Sequence, residues 1–209
     1  DKPKGWHLDY LNPARMTIPQ TNLRIGYFIT NHYNISIGVD HMKYVMYNDR
    51  RVDYSGYYPN AGSYNENPVG DQLTLDEDFL TFEHTDGLNY VNTEISRVDD
   101  ISSLFKLPNT DKFQINVTEG VGVGLLYPKT NTKLLGKDRH DQFHIAGYGL
   151  SAKVGLNFTF FKYFFIQTEL KGGYIDMNDI RTTSSKADSA EQHFWFLQRI
   201  VAVGGIFRI

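Results

Sequence analysis

The chain has 209 residues, 21 Lys and Arg against 24 Asp and Glu, a net charge of −3 and no cysteine. These values exclude disulfide staples and cysteine-based zinc sites. The scattered basic residues also argue against a nucleic-acid surface.

The length suits one domain spanning 1–209. No apolar run approaches the about 20 residues of a membrane helix. The opening Asp1-Lys2-Pro3-Lys4 carries no signal peptide and reads as the start of a processed chain. The chain holds 14 Tyr, 14 Phe and 18 Gly, yet its mean hydropathy is below zero. Apolar and polar residues that alternate, and so cancel in the average, give that combination.

Helical periodicity is almost absent, and period-2 patterning dominates the second half of the chain. Trp6–Leu11 reads as a short first strand, and Asn12–Gln20 as a loop. After the tight turn Thr30-Asn31-His32, Tyr33, Ile35, Ile37 and Val39 oppose Asn34, Ser36, Gly38 and Asp40. A long polar stretch, Asn48–Asp78, follows. Phe82–Asn89 then reads as a polar strand end leading into an Asp-Gly turn.

Beyond the turn Leu107–Thr110, Phe113 to Tyr127 alternates Phe113, Ile115, Val117, Val121, Val123 and Leu125 against small and polar residues. Glu119 interrupts the apolar side, so a bulge or a pairing partner is expected there. A second polar stretch, Pro128–Asp141, precedes the clearest strand, Phe143 to Phe160. One side of it runs from His144 and Ala146 to Phe158 and Phe160; the other carries Gly147, Gly149, Ser151, Lys153 and Asn157. Phe161-Lys162 reads as a turn. In the next strand Phe164, Ile166, Leu170 and Tyr174 oppose Gln167, Glu169, Lys171 and Gly173. Arg181–Gln192 is a third long connection before a last strand, His193–Ile209, whose facing Arg199 leaves open. Short and long connections alternate strictly, and the count reaches eight antiparallel strands.

Alternation supplies a sheet with one apolar and one polar side but does not say which faces inward. Two features favour apolar-out. The polar side is rich in glycine and small residues with isolated charges, as a narrow lumen requires. Aromatics gather where strands meet the short turns, at Tyr33, Phe158, Phe160, Phe161, Tyr163, Phe164 and Phe165, as interfacial girdles do. The expected fold is all-β: a closed antiparallel transmembrane barrel with short periplasmic turns and long extracellular loops.

The terminal Trp195…Val201-Ala202-Val203-Gly204-Gly205-Ile206-Phe207-Arg208-Ile209 resembles the C-terminal strand signal of outer-membrane proteins, although it closes on Ile209 where that signal has an aromatic. The loop pattern is similar to the small barrels typified by the outer-membrane protein A transmembrane domain and the OmpW and lipid A deacylase families. The resemblance implies a Gram-negative outer-membrane location among outer-membrane lipids, and insertion by the barrel assembly machinery.

Four groups of residues carry possible chemistry. Lipid A deacylases place a catalytic His, a Ser two residues later and a carboxylate on neighbouring strands. His84 and Glu94 fit two of these roles, but Asp86 stands where the Ser is expected and the nucleophile is missing. Asp40, Lys153, Glu169 and Lys171, with Arg24, form a lumen charge set that must pair, because an unpaired buried charge is very costly. That set reads either as the lining of a small gated pore or as a plug. His140 and His144, with Asp138 and Asp141, stand four apart, a spacing that makes a metal pair on a helix and not on a strand; solvated loop charge is the expected reading. No metal or cofactor is expected.

The stretch Asn48–Asp78 carries Tyr54, Tyr57, Tyr58 and Tyr64 among Asn, Gly and Ser, the composition of a recognition surface. The expected function is a non-enzymatic barrel whose outer loops bind a protein partner in an outer-membrane complex. The alternatives are a lipid hydrolase using His84 and Glu94, or a passive pore.

Overall fold

A computed structural model describes residues 21–56, 72–137 and 143–207. Ten strands follow in chain order: β1 Asn22–Phe28, β2 Tyr33–Val45, β3 Arg51–Asp53, β4 Gln72–Thr74, β5 Leu80–Asp100, β6 Phe113–Pro128, β7 Asn131–Leu134, β8 Gly147–Phe160, β9 Phe164–Arg181 and β10 Ser189–Gly205. The main sheet has the order β1-β2-β5-β6-β8-β9-β10, with β7 added against β5, and β3–β4 form a separate two-stranded ribbon. Every pairing is antiparallel. The predicted first strand Trp6–Leu11 and the loop Asn12–Gln20 lie outside the described residues, and the sheet is not closed among those described. It nevertheless curls, because Arg24 on β1 reaches Glu169 on β9, 3.0 Å from Nη1 to Oε1.

The facing that alternation left open is now fixed. Asp40, Asn92, Glu94, Lys153, Glu169 and Lys171 are buried, while Leu23, Ile25, Ile37, Ile95, Val121, Val123, Leu150, Leu197 and Val201 are exposed. Small polar side chains turn inward because the inner face is crowded. A Cβ on Gly122 would stand 2.9 Å from Glu94 Cγ and 2.8 Å from Ser151 Oγ, so only glycine leaves room there for the carboxylate. Arg199 lies on the exposed side of β10 with Trp195, Leu197 and Val201.

Several connections differ from the sequence expectation. Asn48–Asp78 is not all loop, since it contains β3 and β4, and Leu73 and Leu75 there are buried. Pro128–Asp141 contributes β7. The last long connection shortens to 182–188, because β9 and β10 extend into it. The final strand begins earlier than expected and ends at Gly205, and β8 begins at Gly147 rather than Phe143. Residues 101–112 are more than a tight turn, with a 3-10 turn at Ser102–Phe105 that leaves through left-handed Lys106.

Phe161-Lys162 is a tight reversal, with φ of 54° and 67°, the left-handed pair that matches strand twist in a two-residue hairpin. Glu119 sits in an unbroken register directly across from Arg97. The interruption is therefore not a bulge, and the guanidinium of Arg97 is itself paired with Asp99 at 2.7 Å.

The His84-to-Gly87 stretch is also corrected. It is not a strand end but an irregularity within continuous β5, between the Met42↔Leu88 and Tyr44↔His84 pairs. Gly87, at φ 134°, takes the backbone turn there that other residues resist. The two extra residues on β5 preserve the facing, so His84 and Leu88 are both buried.

Candidate functional site

The buried face of the sheet is layered. Near the short-turn end lie neutral side chains: Asn116 donates to Asn157 at 3.3 Å, Asn157 donates to Gln167 at 2.8 Å, and Thr159 donates to Asn157 at 2.6 Å. Gln167 also bonds Glu169, which links this layer to the charges above it.

The next layer is ionic. Glu94 on β5 is its hub, with Lys153 Nζ at 2.7 Å, Lys171 Nζ at 2.7 Å and Arg24 Nε at 2.9 Å. Glu169 takes Lys153 at 3.2 Å and Arg24 at 3.0 Å. Asp40 pairs with Lys171, takes Arg24 at 3.8 Å and accepts from Asn92 at 3.1 Å. Lys153 and Lys171 are direct neighbours across β8 and β9, a repulsive arrangement unless carboxylates intervene. Glu94 stands between them. Three cations thus meet three anions, a balance that a low-dielectric interior requires.

Above the ions the face turns apolar. Met42, Leu88, Tyr90, Leu126, Ile175, Met177 and Ile180 form one buried cluster, with Phe194 and Phe196 packed against it. Tyr90 joins the two layers: its hydroxyl donates to the Gly149 carbonyl at 3.0 Å, and Lys171 Nζ lies 5.1 Å from its ring centre.

His84 caps the apolar layer. Thr130 Oγ1 lies 2.9 Å from its Nδ1 and Gln192 Oε1 lies 3.3 Å from its Nε2. The Gln192 oxygen only accepts, so Nε2 carries the proton and Nδ1 accepts from the Thr130 hydroxyl. Phe82 and Tyr44 flank the ring, with centroids 5.0 Å and 5.9 Å away. His84 lies beyond Asn89, the residue opposite Tyr127 at the outer aromatic rim. Burial lowers its pKa to about 4, with the Gln192 hydrogen bond opposing that shift. A neutral, fully buried imidazole of this kind ties β5, β10 and the segment before β7 together and is a poor general base.

The expected sites fare differently. Asp40, Lys153, Glu169 and Lys171 come together, and Arg24 joins them. His84 and Glu94 do not. They stand ten positions apart on one strand, about 30 Å at the usual rise, and Glu94 is held by three cations. The proposed catalytic pairing is thereby corrected: Glu94 belongs to the ionic layer. Its parity with inward-facing Asn92 and Ser96 was the signal for this. Thr130 and Gln192 were not foreseen, because no local pattern brings positions 84, 130 and 192 together.

Tyr54 packs edge-on against Phe79, centroids 5.6 Å apart, so it serves the chain's own rim. Tyr57, Tyr58 and Tyr64 lie outside the described residues, as do Asp138, His140 and Asp141. His144 bonds the Asp179 carbonyl, and the described residues hold no group of three metal-ligating side chains. Comparison with family models, curated proteins and solved structures gives no match for the chain.

Proposed function

We propose that the chain is a Gram-negative outer-membrane β-barrel, non-enzymatic, whose outer loops bind a protein partner within an outer-membrane complex. One observation carries the membrane reading: charged and amide side chains are buried, while large apolar side chains cover the exposed face. Water would impose the reverse arrangement; a bilayer favours this one.

The distribution of aromatics supports it. Tyr27, Phe28, Tyr33, Phe161, Tyr163 and Phe164 are exposed at the short-turn end, and Tyr127, Phe143, Tyr148 and Trp195 towards the long-loop end. Along β8 the outward face runs from Tyr148 to Phe158, close to the about 9–11 residues that cross a hydrocarbon core.

The partner reading rests on the two filled layers and on the separation of His84 from Glu94. An interior packed with ions and then with apolar side chains disfavours a passive pore, and the separation disfavours the hydrolase. The outer end remains, where β3–β4 and β7 stand apart from the main path of the sheet, and the sequence joining β3 to β4 carries Tyr54, Tyr57, Tyr58 and Tyr64.

Two measurements test the two parts. The protein is expected in the detergent phase of native membranes, with a folded form that migrates faster than the boiled one. Recovery in the aqueous fraction without detergent would overturn the membrane part. Deleting residues 57–71 should abolish co-purification of the partner while keeping the heat-modifiable form, and unchanged recovery would overturn the loop part.

A further inference from the structure

Two charges stand on the exposed, apolar face of the main sheet. Arg199 on β10 faces outward between Leu197 and Val201, and Glu119 on β6 faces outward between Val117 and Val121. Among the described residues neither makes an ion pair. Arg97, directly across from Glu119, turns to Asp99 at 2.7 Å, and the neighbour of Arg199 across the ladder is Leu170. In a bilayer Arg199 is the misplaced charge. Trp195 and Phe207, 80 % and 84 % exposed, bracket it along the chain. It lies four residues inward of Trp195, about 13 Å along the strand. A lone arginine at that depth in hydrocarbon is strongly disfavoured.

The two charges frame an apolar patch. Register places Arg199, Leu170, Val154 and Glu119 on one row across β10, β9, β8 and β6. The next outward row towards the long-loop end is Leu197, Gly172, Ala152 and Val121, so the centre of that row carries nothing larger than a methyl group. Internal packing does not demand Gly172. Every other glycine in the main-sheet strands would bring a Cβ to 3.1 Å or closer to a neighbour, whereas one on Gly172 stops 3.5 Å from Leu197 and Phe196. Small residues at such a place let a second backbone approach closely, as they do where membrane segments pack together.

We propose that this face docks a second copy of the chain in the same orientation, with Arg199 of each copy meeting Glu119 of the other. The proposal rests on the membrane reading. A two-fold axis along the membrane normal, passing beside Gly172 and Ala152, sets cation against anion on both flanks at once. One contact then satisfies both unpaired charges, which lipid does not do. Strand tilt makes the row oblique, by about 9 Å in depth over three strand spacings. The long arginine side chain takes up that offset by leaning along the interface.

The chain has no cysteine, so single cysteines report the contact. Gly172→Cys and Ala152→Cys are introduced separately into the full-length protein and treated in native membranes with a short bifunctional thiol reagent. Both are expected to give linked dimers, while Ile95→Cys, exposed elsewhere on the sheet, stays monomeric. Co-expressed copies with two different tags identify the second chain, since the linked band must hold both. In the Gly172→Cys protein, Arg199→Glu is expected to lower the dimer yield about tenfold, and adding Glu119→Arg to restore it. Heat-modifiable migration selects folded variants. Where Arg199→Glu does not fold, Arg199→Gln takes its place and should also lower the yield. Equal linking at Ile95→Cys, no dimer at either position 152 or 172, a linked band without the second tag, or a dimer yield indifferent to the charge at Arg199 would each overturn the proposal. So would a reversal that the swap does not correct. Recovery in the detergent phase in those cases leaves the membrane reading standing, whereas aqueous recovery would remove that reading first.

Discussion

The ionic and apolar layers of the buried face lie on the same strands, yet they hold the fold by opposite means. The ionic layer joins β1, β2, β5, β8 and β9 through six side chains whose charges cancel. Its value lies in completeness: assembling such a set gains little over apolar filling, but removing one member is costly. The apolar layer has no such interdependence. Each of its side chains contributes area and contact, and losing one leaves a cavity whose cost scales with its size. One layer is therefore specific and brittle, the other additive and tolerant.

The largest effect is expected at Glu94. Glu94→Ala leaves three cations facing two anions, and a loss of about 3–5 kcal/mol is expected, read as a lower urea midpoint for the loss of the heat-modifiable form. Adding Lys171→Met to that variant restores the charge balance and should recover part of the loss. If the double variant is no better than Glu94→Ala, the layer is not acting as a balanced set.

A smaller effect is expected from Leu126→Ala in the apolar layer, about 2–4 kcal/mol from lost burial and the residual cavity. A second substitution beyond contact with it should simply add. Strong non-additivity between separated apolar positions would erase the contrast between the layers.

The smallest effect belongs to His84, which caps the apolar layer outside the ions. Its pKa in the fold is about 4 against an ordinary 6.5, so the unfolded chain takes up the proton first. The stability tied to the neutral imidazole is fully present above about pH 6.5, declines as pH falls towards 4, and is level below that. The whole step is at most about 3.5 kcal/mol, at about 1.4 kcal/mol per pKa unit, and only about 1.4 kcal/mol of it is lost between pH 7.5 and 5.5. Urea midpoints of the parent and of His84→Gln, compared at pH 7.5, 5.5 and 4.5, should converge as pH falls. Parallel pH profiles would remove His84 from this role.

Much of the sheet was legible because strand facing is local. Asp40, Lys153, Glu169 and Lys171 fall on the polar side of simple alternation, and a narrow interior forces such charges to meet. The pairing of Glu94 with His84 rests on the resemblance to the lipid A deacylases, whereas the parity Glu94 shares with Asn92 and Ser96 already places it inside. The outer connections were read as loops because β3, β4 and β7 are too short for period 2 to register.

The sequence alone determined an antiparallel all-β chain with one apolar and one polar side, since a period of two is a property of the backbone. Tertiary structure decided the rest. Period two by itself is symmetric as to which side is buried; the small, sparsely charged polar side and the clustered aromatics favour apolar-out, and the curl of the sheet decides it. The hub role of Glu94 and the Thr130–His84–Gln192 bridge depend on register between strands distant in sequence, and that register is set by packing and not by any local run of residues.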